Sequence, residues 1–225
     1  MDAVLWDVDG TLLLNSASAG RLYDRAIAEV VGTEPSGRRP NEHGKTDAQI
    51  IVERLADQGL GAELLPAVRE RLDALSADAY VGDAARHRAP GVDAALTAVE
   101  AAGWRNGLLT GNSPARIRAK FASAGLDPDR FDPDLWFTGE ATTVRSDLAR
   151  RAVAELGDAS AVIVGDTPSD DSAAAAAGIP FLAVATGAFD VAALRGTGAV
   201  LVVADLETGL PELLTALSDL AGLLR

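Results

Sequence analysis

The stretch Ala3-Val4-Leu5-Trp6-Asp7-Val8-Asp9-Gly10-Thr11-Leu12 reads as a short apolar strand that runs into two carboxylates one residue apart. Burying such an ending is costly unless a cation meets the acids. In open α/β sheets ligands gather beyond the carboxyl ends of the strands, so Asp7 and Asp9 stand where a site is expected, and Gly10 permits the turn that leaves it. Read alone, the segment also fits a solvated Asp-Gly turn. A calcium-binding EF-hand loop is excluded by register, because Leu12 and Ser18 occupy the positions that demand glycine and glutamate.

Two further segments repeat the pattern of an apolar run ending in polar groups. Ala161-Val162-Ile163-Val164-Gly165-Asp166-Thr167-Pro168-Ser169-Asp170-Asp171 ends in acids and feeds a helix. From that loop Asp166 and Asp170 can reach one hard cation, and Mg²⁺ prefers a few carboxylates together with water and phosphate oxygens. Asp170 and Asp171 also suit a helix N-terminus by charge alone. In Leu108-Leu109-Thr110-Gly111-Asn112-Ser113-Pro114, a strand delivers a hydroxyl, a glycine and an amide to a helix that Pro114 opens. Thr110, Gly111 and Asn112 beside that N-terminus make a phosphate site, although Ser113-Pro114 is equally an ordinary helix start.

Working outward, short apolar runs predict strands over 3–6, 105–109, 135–137, 161–164, 181–184 and 199–203. Helical patterns fall between them over 92–102, 114–124, 147–156 and 169–177, with Gly103, Gly125, Gly157 and Gly178 at the expected C-caps. This alternation predicts an α/β fold, a doubly wound and mostly parallel sheet covered by helices on both faces. Residues 15–86 break it, reading as helix after helix, an inserted helical module. Ala19, Leu22, Tyr23, Ala26, Ile27 and Val30 share one apolar face, as do Leu64, Leu65, Val68, Leu72 and Leu75. Thr46 with Gln49 fits a capping box. The alanine run 173–177 suits a helix packed closely on the sheet, and 211–224 suits a docked amphipathic helix.

The chain has a formal net charge of −13 and a pI near 4.5. Both disfavour nucleic acid and anionic membrane surfaces. The same field opposes a phosphate ester unless a cation or helix N-termini reverse it locally. No apolar run approaches the roughly 20 residues of a membrane span, and Asp2, Asp7 and Asp9 interrupt what a signal peptide requires. A cytoplasmic protein without membrane or nucleic-acid partners is therefore expected. With no cysteine there is no disulfide framework, thiolate zinc site or cysteine nucleophile.

Asp7-Val8-Asp9-Gly10-Thr11, the strand-end Thr110 and Gly165-Asp166 with Asp170, in this order, resemble the haloacid dehalogenase-like superfamily over nearly the whole chain. The position of the helical module resembles the phosphoglycolate-phosphatase-like branch. The resemblance implies a Rossmann-like catalytic core of residues 1–14 and 87–225, an α-helical cap of residues 15–86, and a Mg²⁺-dependent phosphatase acting on a small phosphorylated metabolite. It implies that Asp7 is the nucleophile, forming an aspartyl-phosphate, and that Asp9 is general acid and base. Mg²⁺ would be held by Asp7, the Asp9 carbonyl and Asp166, with Asp170 in its outer shell. Gly10, Thr110, Gly111 and Asn112 would surround the phosphoryl group.

The family's lysine before the last motif is missing. Only Lys45 and Lys120 are present, and Arg145 takes the expected place, carrying the same charge on a longer, forked side chain. Lys120 reads as a solvated helix residue. Gly44-Lys45-Thr46-Asp47 resembles a cap loop that faces the active site, so Lys45 reads either as a substrate contact or as a solvated residue beside a helix cap. Asp at position 9 favours phosphate esters over dehalogenase or phosphonatase chemistry. The alternatives are a sugar-phosphate phosphomutase of the same superfamily and, from another class, a catalytically silent binding or signalling protein on the same fold.

Overall fold

The computed structural model describes residues 2–14, 19–35, 42–82 and 85–223. Asn15, at the expected start of the helical module, and Leu224 lie outside them, as does the side chain of Ala19. Six strands form one all-parallel sheet: β1 (Ala3–Trp6), β2 (Arg105–Thr110), β3 (Trp136–Thr138), β4 (Ala161–Gly165), β5 (Phe181–Val184) and β6 (Leu201–Val203), in the order β3-β2-β1-β4-β5-β6. The order reverses beside β1, and its neighbours β2 and β4 carry the other two predicted segments. Asp7, Thr110 and Asp166 therefore meet at the topological switch point, where such sheets bind ligands.

Alternation along β1 divides the core. Val4 and Trp6 join Leu108, Val162 and Val164 on one face, under α4 (Val92–Ala101), α5 (Pro114–Ala124) and the C-terminal helix α9 (Leu210–Leu223). Ala3 and Leu5 join Leu109, Ile163 and Ala183 on the other, under α6 (Arg145–Leu156), α7 (Pro168–Ala177) and the short α8 (Val191–Leu194). The alanine run of α7 buries Ala173 and Ala174 in this second layer, the close helix-to-sheet packing that small residues permit. Trp6 keeps its indole N–H satisfied inside the core by donating to Asn106 Oδ1 at 2.9 Å.

Several boundaries differ from expectation for local reasons. β3 starts at Trp136 because Pro133–Leu135 forms a 3₁₀ turn, and β6 starts at Leu201 rather than 199. α6 begins at Arg145, not 147, which makes Arg145 its first residue. Ala102, rather than Gly103, caps α4.

Between β1 and α4 lie α1 (Ala19–Val31), α2 (Asp47–Ala56) and α3 (Leu65–Ser76), with no strand among the described residues. Tyr23, Ile27, Ile51, Leu55, Val68 and Leu72 close a separate apolar cluster. The chain enters and leaves this module side by side: Leu14 N–H donates to His87 C=O and Ala89 N–H to Leu12 C=O, both at 2.9 Å. Thr46 caps α2 by accepting the Gln49 N–H at 3.1 Å, but the Gln49 side chain turns to Glu53, so the predicted capping box is half made. A reciprocal box forms instead at α7, between Thr167 and Asp170.

The module sits directly on the sheet's carboxyl edge. Asp47 N–H donates to Gly111 C=O at 2.7 Å, and a side-chain carbon on Gly111 would stand 2.3 Å from the Lys45 carbonyl. Only glycine lets the two backbones approach so closely.

Candidate active site

Asp7 follows β1, buried, with its amide bonded to Val164 C=O at 2.9 Å. Asp166 follows β4, and Asp170 sits in the first turn of α7. Asp7, Asp166 and Asp170 bring one carboxylate oxygen each within 4.8 Å of one another. Gly10, with φ +90°, makes this possible from behind: a Cβ there would fall 2.2 Å from Asp166 Oδ2, so Gly10 serves the packing of Asp166. Thr11 Oγ1 donates to Asp166 Oδ1 at 3.1 Å.

Three buried acids this close repel one another's charge. Burial, reinforced by Asp170 and Asp9 and opposed by Arg145, pushes the Asp7 carboxyl up to about 6. Burial together with Asp7 and Asp170 raises Asp166 well above the ordinary carboxylate range. Arg145 bridges two of the three, its Nη2 lying 3.0 Å from Asp7 Oδ1 and also pairing with Asp170 Oδ1. Burial works against that guanidinium's charge, but Asp170 and Asp7 outweigh it and hold the group protonated. The same fork donates to Leu109 C=O and Gly44 C=O, each at 3.3 Å, joining the sheet to the helical module.

Asp9 faces the other way. Its Oδ1 accepts from Arg86 Nη2 at 2.7 Å, and its Oδ2 accepts from Asn112 Nδ2 at 2.8 Å and from Lys120 Nζ. Against the cost of burial, Lys120 and Arg86 hold this carboxyl far below the usual range. Lys120 is thus buried against Asp9, a correction to its reading as a solvated residue. It lies on the face of α5 that Ser113 and Arg116 share at helical spacing, which the sequence displayed. Arg86 has no comparable signal, standing in an unpatterned segment at the end of the helical module.

Thr110 ends β2 with its hydroxyl buried and accepting from Asn112 Nδ2 at 2.9 Å. Ser113 caps α5 as expected, accepting the Arg116 N–H at 3.2 Å. The N-terminus of that helix is not left for a phosphate, however, because Ser113 N–H donates to Asp47 Oδ2 at 2.9 Å. Asp47 also pairs with Arg116 and accepts from Tyr23 Oη at 2.6 Å, so a buried acid from the module already meets the helix dipole.

These groups surround one cavity of about 290 Å³ between sheet edge and module. Asp7, Asp9, Thr110, Gly111, Asn112 and Arg145 line it from the core, and Gly44, Lys45 and Tyr23 from the module. The Lys45 ammonium already pairs with Glu53. Chemically, the cavity offers one carboxylate from a cluster of three acids with the spacing to hold a cation, a second carboxylate held apart from it, and a hydroxyl.

Solved structures align with this chain along nearly its whole length. CbbY from Rhodobacter sphaeroides in complex with phosphate is 22% identical, with TM-score 0.69, covering 93% of this chain and 96% of that one. A variant of CbbY in complex with xylulose-(1,5)bisphosphate is 22% identical, with TM-score 0.67, covering 92% and 95%. A hydrolase from Pseudomonas syringae is 18% identical, with TM-score 0.68, covering 95% and 98%. At such identities the likeness is one of fold. No curated protein matches the chain in sequence. Residues 1–178, a span holding all three strand-end segments, match the model of the haloacid dehalogenase-like hydrolases, and the chain belongs to that family.

Proposed function

We infer that the protein is a Mg²⁺-dependent phosphatase that hydrolyses a small phosphomonoester through an aspartyl-phosphate on Asp7. The observation that carries this reading is that two carboxylates one residue apart are given opposite surroundings. Asp7 belongs to the three-acid cluster with Arg145, while Asp9 is held outside it by Arg86, Lys120 and Asn112. Environments that separate two neighbouring acids divide nucleophile from acid and base. Among proteins of like fold, CbbY has been solved with phosphate and with a sugar bisphosphate, which supports a phosphorylated metabolite as substrate.

A divalent cation fits the cluster on its own chemistry. Three hard oxygen donors converge, and Asp166 Oδ2 is buried with no hydrogen-bond partner among the described residues. Asp7, Asp166 and the Asp9 carbonyl would hold Mg²⁺, with Asp170 engaged from the outer shell. Bound there, the ion supplies the positive charge that an acidic chain otherwise lacks for an anionic substrate.

In this reading the helical module is a cap, and the chain's own groups divide the work. A carboxylate oxygen of Asp7 attacks phosphorus, and the ester P–O bond breaks as the leaving oxygen takes a proton from Asp9, which has to take up that proton with the substrate because Lys120 and Arg86 hold it as a carboxylate in the free protein. Asp9 then removes a proton from water, whose oxygen attacks phosphorus. The bond to Asp7 breaks, inorganic phosphate leaves, and Asp7 and Asp9 are regenerated. The Thr110 hydroxyl orients a phosphoryl oxygen, the Asn112 side chain steadies both that hydroxyl and Asp9, and Arg145 meets the charge shared by Asp7 and the phosphoryl group.

Release of alcohol and inorganic phosphate in equal amounts from p-nitrophenyl phosphate and a panel of phosphorylated metabolites is expected. Phosphoryl transfer to a sugar phosphate without phosphate release would make the protein a mutase instead. No reaction with any of them would leave a silent binding protein.

Arg145→Ala is expected to lower kcat/KM by about 10²- to 10³-fold, the usual cost of removing a preorganised charge stabiliser. Arg145→Lys should retain part of the activity, because charge survives while the fork to Asp7 and Asp170 is lost. Steady-state kinetics on the two purified variants check this, and wild-type rates in both would return Arg145 to a structural role.

A further inference from the structure

Asp9 is gripped from behind. Arg86 and Lys120 are 0% and 2% exposed at their side chains, whereas the Asp9 side chain they hold is 30% exposed. Both cations border the cavity, yet the Asp9 carboxylate is the most exposed of the three groups. The grip is three-sided: Arg86 Nη2 on Oδ1, Lys120 Nζ and Asn112 Nδ2 on Oδ2, with Lys120 also donating to Asn112 Oδ1 at 2.5 Å. Two cations share this one acid, and Arg86 Nε and Nη1 have no hydrogen-bond partner among the described residues. An arrangement that buries more positive charge than it neutralises is a poor stabiliser of the fold. Its evident effect is to fix where the carboxylate stands.

We propose that Arg86 and Lys120 are positioning residues that act through Asp9, keeping its carboxylate at the cavity wall and out of the cluster formed by Asp7, Asp166 and Asp170. The inference rests on the phosphatase reading, since it concerns the acid and base of that reaction. The need is physical: Asp9 is two residues from Asp7, and its carboxylate entering the cluster would add a fourth negative charge where three are already crowded. The two anchors come from different parts of the chain. Lys120 reaches up from α5, while Arg86 lies on the segment returning from the helical module. That segment is tied to α5 in turn, because Arg86 N–H donates to Ser123 Oγ at 2.9 Å and Ser123 Oγ donates to Tyr80 C=O at 2.6 Å.

A double-mutant cycle tests this, with p-nitrophenyl phosphate as substrate and nitrophenol release followed in both burst and steady state. Lys120→Met should lower kcat by about 10- to 10²-fold with KM within about threefold of wild type, part of the cost of losing general acid and base catalysis. Lys120→Arg should recover most of the loss. In the Asp9→Asn background the two losses should not add, with Lys120→Met changing the remaining rate by less than about twofold. If Lys120→Met fails to melt cooperatively, Arg86→Lys enters the same cycle, since it shifts a charge without removing it, and the same non-additivity is expected. Additive losses, or no loss at all, on an active wild type overturn the inference and leave the phosphatase reading standing. A wild type that releases no nitrophenol overturns both.

Discussion

Asp7→Asn is expected to fold and melt at or above the wild-type temperature while losing turnover by about 10⁴-fold or more, the scale of removing a covalent nucleophile. The two halves of this result have one structural origin. Asp7 is buried beside Asp166 and Asp170, and burial already pushes its carboxyl up to about 6. An amide of the same shape removes one of three mutually repelling charges, and Arg145 keeps its partner in Asp170. The fold therefore has little to lose, whereas the amide offers phosphorus no nucleophilic oxygen. Thermal melting and steady-state hydrolysis of p-nitrophenyl phosphate, taken on the same preparation, measure both. Activity within about 10²-fold of wild type would exceed what the uncatalysed route plus the remaining donors supply, and would remove Asp7 from the nucleophile's role.

What could be read from the sequence follows from where physical signals are local. The strands were legible because β1, β4 and β5 are apolar almost throughout, and a fully covered parallel strand has no polar face to interrupt it. The acids that end β1 and β4 were legible for the same reason, since a carboxylate directly after such a run has few bland explanations. The burial of Lys120 is not legible, because helical position alone does not say whether a face meets solvent or a neighbouring loop. Only the fold brings α5 under Asp9. Arg86 carried no periodic signal, and its partner lies 77 residues away in sequence. The N-terminus of α5 was read as open to phosphate because its occupant, Asp47, belongs to the helical module, and such an encounter is set by how two units dock. Asp47 closes the loop Gly44-Lys45-Thr46-Asp47, in which the aspartate is buried and the lysine half-buried.

Metal removal should have the second largest effect, and it can be read without any turnover. EDTA is expected to bring p-nitrophenyl phosphate hydrolysis to background and Mg²⁺ to restore it, because the acid cluster and an anionic substrate need a shared cation. The same ion should stabilise the fold, since it relieves the repulsion that raises Asp7 and Asp166. Ligand present at about 100 times its Kd adds about 2.7 kcal/mol. For a chain of this length each kcal/mol moves the melting temperature by about 2–4 °C, so a rise on the order of 5–10 °C is expected. Asp166→Asn separates this site from weak binding elsewhere on an acidic surface. Its amide relieves the crowding at no charge cost, so the metal-free variant should melt no lower than metal-free wild type. It cannot neutralise a cation, so the rise with Mg²⁺ should shrink to a fraction of the wild-type value. Sodium at equal ionic strength controls for screening, which acts on every exposed carboxylate alike. Hydrolysis that survives EDTA, or a melting temperature equally responsive to Mg²⁺ in wild type and Asp166→Asn, would take the ion out of this cluster. The orphaned Asp166 oxygen would then need another partner.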